Sequence, residues 1–488
     1  MKKLIIPAFV LTVLAAGCNV LDKEPLTTLA PSNFFKSAED AEASLAAVYD
    51  GLQTKGCYAE VLMLMGSMPT DDATSQNNDV NVLETLNWNS STGQVYDMYR
   101  DAYQVVNRAN AVIKYVPGIS GMSSGRRDQI VGEARFLRAL AYFNLVRLYG
   151  GVPLRLEPTE SGDPAVLNLP RASAEQVYEQ IIQDLTAAET AAPATNPARA
   201  GRGAASALLA RVQLTRRDWA AAKAAAGRVL TSGGGFALSS SFNALFPADN
   251  RTESIFEIQF SGNTDAGTFH TLPDVVMPSP PATYSFKKFN LPTSNLLQAA
   301  DTVNDLRWSF QGTTNAGRNH ASFVLRGRGT GDNNGPFCYK WRGSGNNFNS
   351  ADNTYVLRLA DVYLMYAEAS NEQGGPSQDV LDKLNPVRQR AGLAPLTTSS
   401  PQMANKQALR REIELQRRLE LAFEGERWFD LVRYARHEQA DASADHAWTA
   451  LDEIQRQRNG ARDANYLQLP IPLAELNTNT QIQQNPGY

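Results

Sequence analysis

Residues 133–150, EARFLRALAYFNLVRLYG, place the tightest constraint on the fold. Phe136, Leu137, Leu140, Phe143 and Leu148 recur at three- and four-residue steps, which is the spacing of one helical face. Leu145 and Val146 widen the apolar arc, so this helix has to be covered on more than one side. Gly150, Gly151 and Pro153 stop it. A helix with this much apolar surface needs helical neighbours. Periodicity predicts them at residues 95–116, stopped by Pro117-Gly118, then at 173–191, 203–215 and 219–230, the last closed by Gly233, Gly234 and Gly235. Ser32 offers an N-cap for a further segment running to Asp50. Helices return at 356–372, 377–391 and 406–438. Helix pairs with small residues at their contacts suggest tetratricopeptide-like packing, although no clean repeat period aligns.

Two stretches break the helical pattern. Residues 69–93 are rich in Asp, Asn, Ser and Thr and read as a long loop. Residues 253–353 are dominated by Gly, Asn, Pro, Ser and Thr, with one alternating strand at 255–260. Tyr284, Phe286, Trp308, Tyr339 and Trp341 are embedded in this second stretch and argue against disorder. The expected fold class is therefore mainly α, a helical scaffold with a loop-rich region holding a few short strands.

The N-terminus carries an address. Lys2 and Lys3 precede an apolar run from Leu4 to Ala16, too short for a membrane span of roughly 20 residues. It reads as a secretory signal peptide over residues 1–17. Leu14-Ala15-Ala16-Gly17-Cys18 resembles a bacterial lipobox, with leucine one place further upstream than usual. Acylated Cys18 and a polar tether over residues 18–33 would then anchor the chain to outer-membrane lipid. The formal charge is −4, which gives no footprint for nucleic acid. Cys57 and Cys338 either pair as a disulfide or stay as buried thiols, and their separation in sequence does not choose between the two.

In order along the chain, several segments resemble the SusD/RagB family of nutrient-binding outer-membrane lipoproteins of the Bacteroidetes. They begin with Cys18 and Leu21-Asp22, then Tyr99, Tyr103 and Asn110, RALAYFNLVRLYGGVPL from Arg138 and RGAASALLARVQL from Arg202. RLADVYLMYAEASNE from Arg358, LNPVRQRAGL from Leu384, ERWFDLVRY from Glu426 and the tail LPIPLAELNTNTQIQQNPGY complete the set. The resemblance implies four tetratricopeptide-like helix pairs forming a superhelical scaffold. It makes residues 34–488 one SusD-like domain, with the scaffold at about 34–252 and 354–438, a ligand region at about 253–353 and a tail at 439–488. It also implies a cell-surface role, in which the protein captures an oligosaccharide and delivers it to a SusC-like TonB-dependent outer-membrane transporter.

The residues themselves offer little catalysis. Glu420, Glu424, Glu426, Arg427, Asp430 and Arg433 crowd around Trp428 and Phe429. Helical spacing lets Arg427 reach Asp430, and the cluster reads as an ion-paired packing network rather than an acid–base pair. Arg135, Arg138 and Arg147 read as structural in the same way. His270, His320, His437 and His446 show no metal-ligand spacing, and there is no GxSxG elbow. Asp332-Asn333-Asn334-Gly335 faintly resembles a calcium loop but lacks its closing acidic ligand, so neither a metal nor any cofactor is predicted. Sugar binding needs flat aromatic faces beside amides. That points to Trp88 between Asn87 and Asn89, to Tyr284 and Phe286, and to Trp341. Peptide capture in the same architecture and a surface hydrolase are the alternative readings.

Cys18→Ala is expected to abolish surface anchoring while leaving the soluble fold intact. Fractionation with surface labelling, in cells lacking any transporter partner, checks this; continued membrane attachment of the variant would refute the lipid anchor.

Overall fold

A computed structural model describes residues 34–193, 198–231, 235–246, 248–262, 269–278, 287–310, 312–315, 317–327, 335–342, 349–458 and 460–488. Helix α1, Ala38–Leu52, starts at a capping box in which the Ser37 hydroxyl accepts from Asp40 N and the Asp40 carboxylate accepts from Ser37 N. It buries Ala41, Leu45, Val48 and Leu52 against α2, Gly93–Tyr115. Helix α3, Ser124–Tyr149, is the segment singled out by its wide apolar arc. From Ile130 onward nearly every residue is buried, because α2 covers one side and α4, Ala174–Ala191, another. At the second contact, a Cβ on Gly132 would stand 2.8 Å from that of Ala191. Helix α5, Arg202–Arg216, packs on α4, and α6, Trp219–Thr231, packs on α5.

The helical stack leaves the sequence at α6 and resumes at α7, Leu359–Gly374, which packs directly against it. Helix α8, Gln378–Arg390, and α9, Lys406–Leu421, both pack on α7. The result is four tetratricopeptide-like pairs, α1/α2, α3/α4, α5/α6 and α7/α8. Between the third and fourth pairs, the loop-rich insertion leaves and rejoins the scaffold at one ladder. Strand β1, Ser254–Ile258, runs antiparallel to β2, Thr354–Arg358, with Ser254 opposite Arg358 and Ile258 opposite Thr354.

One helix expected at 406–438 is two. Helix α9 ends at Leu421, and α10, Arg427–Ala440, starts after a turn with left-handed backbone at Phe423, φ 67°, and Gly425, φ 75°. The turn packs backbone to backbone on Gly66, where a Cβ would come within 1.8 Å of the Gly425 carbonyl oxygen, and Trp428 N donates to Gly66 O at 2.8 Å. A local apolar pattern does not register such a contact across the fold. Helix α11, Ala450–Arg458, follows and packs on α10. Cys57 and Cys338 are free buried thiols, each pushed up to about 12 by burial.

Charge holds the insertion to the scaffold. Arg358, 1% exposed, donates to Glu424 Oε2 and Oε1 at 2.7 Å, to Glu420 Oε1 at 2.7 Å and to Glu253 Oε1 at 3.0 Å. Arg390 pairs with Glu253 and Glu420, Arg307 with Asp305 and Glu420, and Lys340 with Glu424. Four cations thus face four carboxylates. A second chain alternates sign through five elements: Arg147, Glu426, Arg211, Asp361, Arg417, Asp430, Arg433 and Glu368. The packing-network reading of the 420–433 cluster and of Arg147 therefore holds, as does that of Arg138, which grips Asp184 through two bonds of 2.8 and 2.7 Å. The partner expected for Arg427 is corrected. Lying at the first turn of α10, it reaches out of the helix to Asp71, while Asp430 is taken by Arg417 and Arg433.

Arg358→Ala leaves three buried carboxylates short of a cation, and a loss of about 3–5 kcal/mol is expected. Chemical unfolding measures it, and an unchanged midpoint would refute the role. Burial pushes the Glu420 carboxyl up, but Arg390, Arg358 and Arg307 together pull it well below its ordinary value of 4.5. The native pKa is depressed, so the stability Glu420 adds is present above pH 4.5 and is lost as pH falls from there toward the native value. Glu420→Gln should flatten the acid limb of a stability–pH curve, and an unaltered limb would count against the assignment.

Candidate functional site

The two loop-rich stretches meet at a short ladder, Ala73–Thr74 paired antiparallel with Leu291–Pro292. A cleft of about 350 Å³ opens beside it, walled by Thr74, Glu84, Ser294, Asn295, Trp448 and Gln457 among others. Trp448 is half-buried and sits two residues before α11. Its indole Nε1 donates to Glu453 Oε2 at 3.2 Å. The same carboxylate, fully buried, accepts from Arg456 Nε at 3.0 Å and Gln457 Nε2 at 3.1 Å. Glu453 therefore sets three cleft side chains from one point. Helical geometry explains how, since positions three and four residues on lie on the same face. Thr449 opens that helix by donating its N–H and its hydroxyl to Asp452 Oδ2, at 2.9 and 2.8 Å.

The opposite wall is equally fixed. Asn295 Oδ1 accepts from Arg418 at 2.7 Å. Arg418 also donates to Asp72 at 2.6 Å, and Asp71 takes two parallel 3.0 Å bonds from Arg427. Burial raises the Asp71 carboxyl, and Arg427 and Arg418 outweigh it, so its pKa falls. Burial wins at Asp72, whose pKa rises. Glu84 accepts from the Thr74 hydroxyl at 2.5 Å and from Ser75 N at 3.2 Å. One aromatic face, carboxylates, carboxamides and hydroxyls thus line one hollow.

The chain segments leading away from the ladder line a second hollow of about 480 Å³, between residues 55–97 and 271–289. Here Lys287 pairs with Asp79 and lies 5.7 Å from the Phe289 ring centroid. Gln94 Nε2 donates to Asp79 O at 3.0 Å, and the Glu60 carboxylate accepts the Thr271 hydroxyl. Both hollows join the 69–93 loop to the insertion, where the sequence reading expected ligand contacts.

Several individual residues are elsewhere. Trp88 is 3% exposed, its Nε1 donates to the Tyr488 hydroxyl at 2.6 Å, and its ring meets Trp428 edge to face at 6.0 Å. Trp341 is 1% exposed, enclosed by Phe246 and His270, with Nε1 donating to Phe423 O at 3.3 Å. Neither offers a ring face to a ligand, because each indole fills an apolar contact between loop and scaffold; both expectations are corrected. Asn87 and Asn89 are exposed and already hydrogen-bonded within the protein. Asn87 donates to Thr85 Oγ1 at 3.1 Å and accepts from Arg458 at 3.2 Å, and Asn89 accepts from Ser91 N at 2.8 Å. Tyr284, Phe286, Cys18 and the 332–334 part of the calcium-like loop lie outside the described residues. The sequence reading missed Trp448, although an aromatic just before a Thr-x-x-Asp helix start was a legible signal. Among the described residues, no helix is long and apolar enough to cross a membrane.

Comparison with known proteins adds family. A profile described as "SusD family" matches residues 282–488, and one described as "Starch-binding associating with outer membrane" matches residues 20–214. SusD-like protein P2 of Formosa agariphila is 28% identical over the whole of both chains. Starch-binding protein SusD of Bacteroides thetaiotaomicron is 25% identical over 86% of this chain and 84% of its own. Among solved structures, a laminarin-binding SusD-like protein superposes with a TM-score of 0.74 at 26% identity, covering 93% of this chain and all of the other. Surface glycan-binding protein A of Bacteroides fluxus shares the fold, with a TM-score of 0.74 at 22% identity, over 93% of this chain and all of its own.

Trp88→Ala is expected to cost about 3–5 kcal/mol of stability, as for other buried Trp truncations. Denaturant titration checks it. A variant as stable as the parent would return Trp88 to the surface.

Proposed function

Because the chain belongs to the SusD/RagB family, we propose that it captures an oligosaccharide at the outer-membrane surface and passes it, unaltered, to a SusC-like TonB-dependent transporter. The observation that carries this reading is the Trp448 cleft. A pyranose ring presents C–H bonds on its faces and hydroxyls around its edge. Trp448 supplies a face for the first, and Glu84, Asn295, Gln457 and Thr74 supply acceptors and donors for the second. The relatives support the ligand class, since one is named for starch and another for laminarin.

Capture without turnover fits the same walls. Asp71 is locked by arginines, and Glu84 already accepts from Thr74 and Ser75, so the cleft's acids serve as hydrogen-bond acceptors rather than as an acid–base pair. The signal peptide and Cys18 support an acylated chain on the membrane, and the transporter follows from the family. Co-purification of tagged protein with a SusC-like transporter tests that partner.

Trp448→Ala should weaken oligosaccharide binding by about 1–2 kcal/mol, typical of a contacting aromatic, or roughly five- to thirtyfold. Calorimetry with starch- and laminarin-derived oligosaccharides measures it, and chromatography of the same mixtures should show no shortened products. Equal affinity in the variant would remove the cleft from the site. Binding of peptides but of no glycan would replace the carbohydrate reading, and product formation would replace capture by hydrolysis.

A further inference from the structure

Helix α2 carries a groove that the Trp448 cleft does not use. It measures about 550 Å³, within the range of small-molecule sites. Tyr96, Tyr99 and Tyr103 stand on successive turns of one helical face and form its floor. Tyr96 is 38% exposed, and the Tyr99 and Tyr103 rings tilt together at 4.8 Å. The far wall is the segment after α3, clamped to α2 side chain by side chain. Tyr103 donates to Pro153 O at 2.7 Å, Asn110 donates to Arg155 O and Glu157 O at 3.1 Å, and Asn107 Oδ1 accepts from Thr159 N at 2.7 Å. Glu475, in the C-terminal tail, closes the rim. The groove is thus assembled from three separate stretches of chain and held open by hydrogen bonds.

Its polar groups divide into two sets. Arg100 is paired with Asp97 and Asp101, and Arg108 with Asp50. The others retain capacity. Among the described residues, the Glu475 carboxylate accepts only a 3.4 Å bond from Asn479, and the Arg155 guanidinium donates only to the Leu167 carbonyl. Gln104 is exposed. The Tyr99 side chain, 4% exposed, has its hydroxyl beside that of Tyr103. One spare carboxylate and one spare guanidinium cancel, so the groove asks for no net charge. Aromatic floor, balanced charge and spare donors and acceptors on both walls match a neutral, polyhydroxylated ligand.

We propose that this groove is a second saccharide site, which would hold a neighbouring stretch of the glycan taken by the Trp448 cleft or a second chain. The assignment rests on the carbohydrate reading above, and the test separates the two. Calorimetry would use the whole mature protein and neutral starch- and laminarin-derived oligosaccharides. The variants are Tyr96→Ala with Gln104→Ala, Glu475→Ala alone, and Trp448→Ala. All three groove positions are at least partly exposed, and a thermal melt guards against misfolding.

Two bound oligosaccharides per parent chain are expected. The groove variants should keep one and weaken the other at least tenfold, and Trp448→Ala should show the converse. Loss of all binding in Trp448→Ala, with groove variants identical to the parent, would overturn the second site and leave the first. Loss confined to the groove variants would uphold the groove and overturn the cleft. Groove variants that bind glycan normally but no longer co-purify with the transporter would make the groove a protein contact and overturn the saccharide assignment. A parent chain that binds none of the oligosaccharides would overturn both.

Discussion

Arg358 is where the structure is decided. It ends β2, begins α7 and meets Glu253, Glu420 and Glu424 in a fully buried setting. Among its described residues the insertion it anchors has little regular structure, so backbone hydrogen bonding alone fixes few of their positions. Beside apolar contacts such as that of Trp341, charge ties it to the scaffold: Arg307 and Lys340 bring loop segments to Glu420 and Glu424, at the end of α9. Burying such ions is expensive, and the pairs roughly repay that cost rather than exceed it. What the network supplies is uniqueness. An ion displaced from its partner is penalised far more steeply than a leucine displaced from its neighbours, so the loops have one low-energy placement.

The alternating chain from Arg147 to Glu368 does the same among helices. It joins α3, α5, α7, α9 and α10, whose other buried contacts are largely apolar. Aliphatic helix faces tolerate sliding, whereas a bidentate guanidinium–carboxylate pair does not. The scaffold is thereby given a register. The ladder at residues 73–74 and 291–292 is attached to the same body through Arg418 and Arg427, which grip Asp71 and Asp72.

Legibility in the sequence follows from this division. The helix at 133–150 was readable because burial on several sides leaves a wide apolar arc, and α4, α5 and α6 were readable from ordinary amphipathic spacing. The break between α9 and α10 was not, because it answers to Gly66, distant in sequence. The charge cluster at 420–433 was readable as packing, since acids and bases at helical spacing announce pairing, but its partners in α3, α5 and α7 were not. Trp88 and Trp448 show the limit for sites. Each lies in a polar setting next to a helix start, and composition favoured the first. Only the tertiary contact with Tyr488 and Trp428 turns Trp88 inward, while Glu453 holds Trp448 at the surface.

Glu453 also bears on how a surface cleft can bind a flexible ligand. An exposed tryptophan, arginine and glutamine would each lose rotamer freedom on meeting a sugar, at roughly 0.5–1.5 kcal/mol per side chain. Here one buried carboxylate has already restricted all three during folding. The contact energy of a single stacked ring is modest, so on the proposed reading removal of that ordering cost is what would let the cleft hold a short glycan. The same logic explains why a site on a loop surface needs ion pairs beneath it. The Arg418 bond to Asn295 fixes the facing wall, and Arg418 is itself fixed by Asp72. Rigidity passes upward from the buried charges to the groups that line the cleft, so the proposed binding surface inherits its shape from the network beneath it.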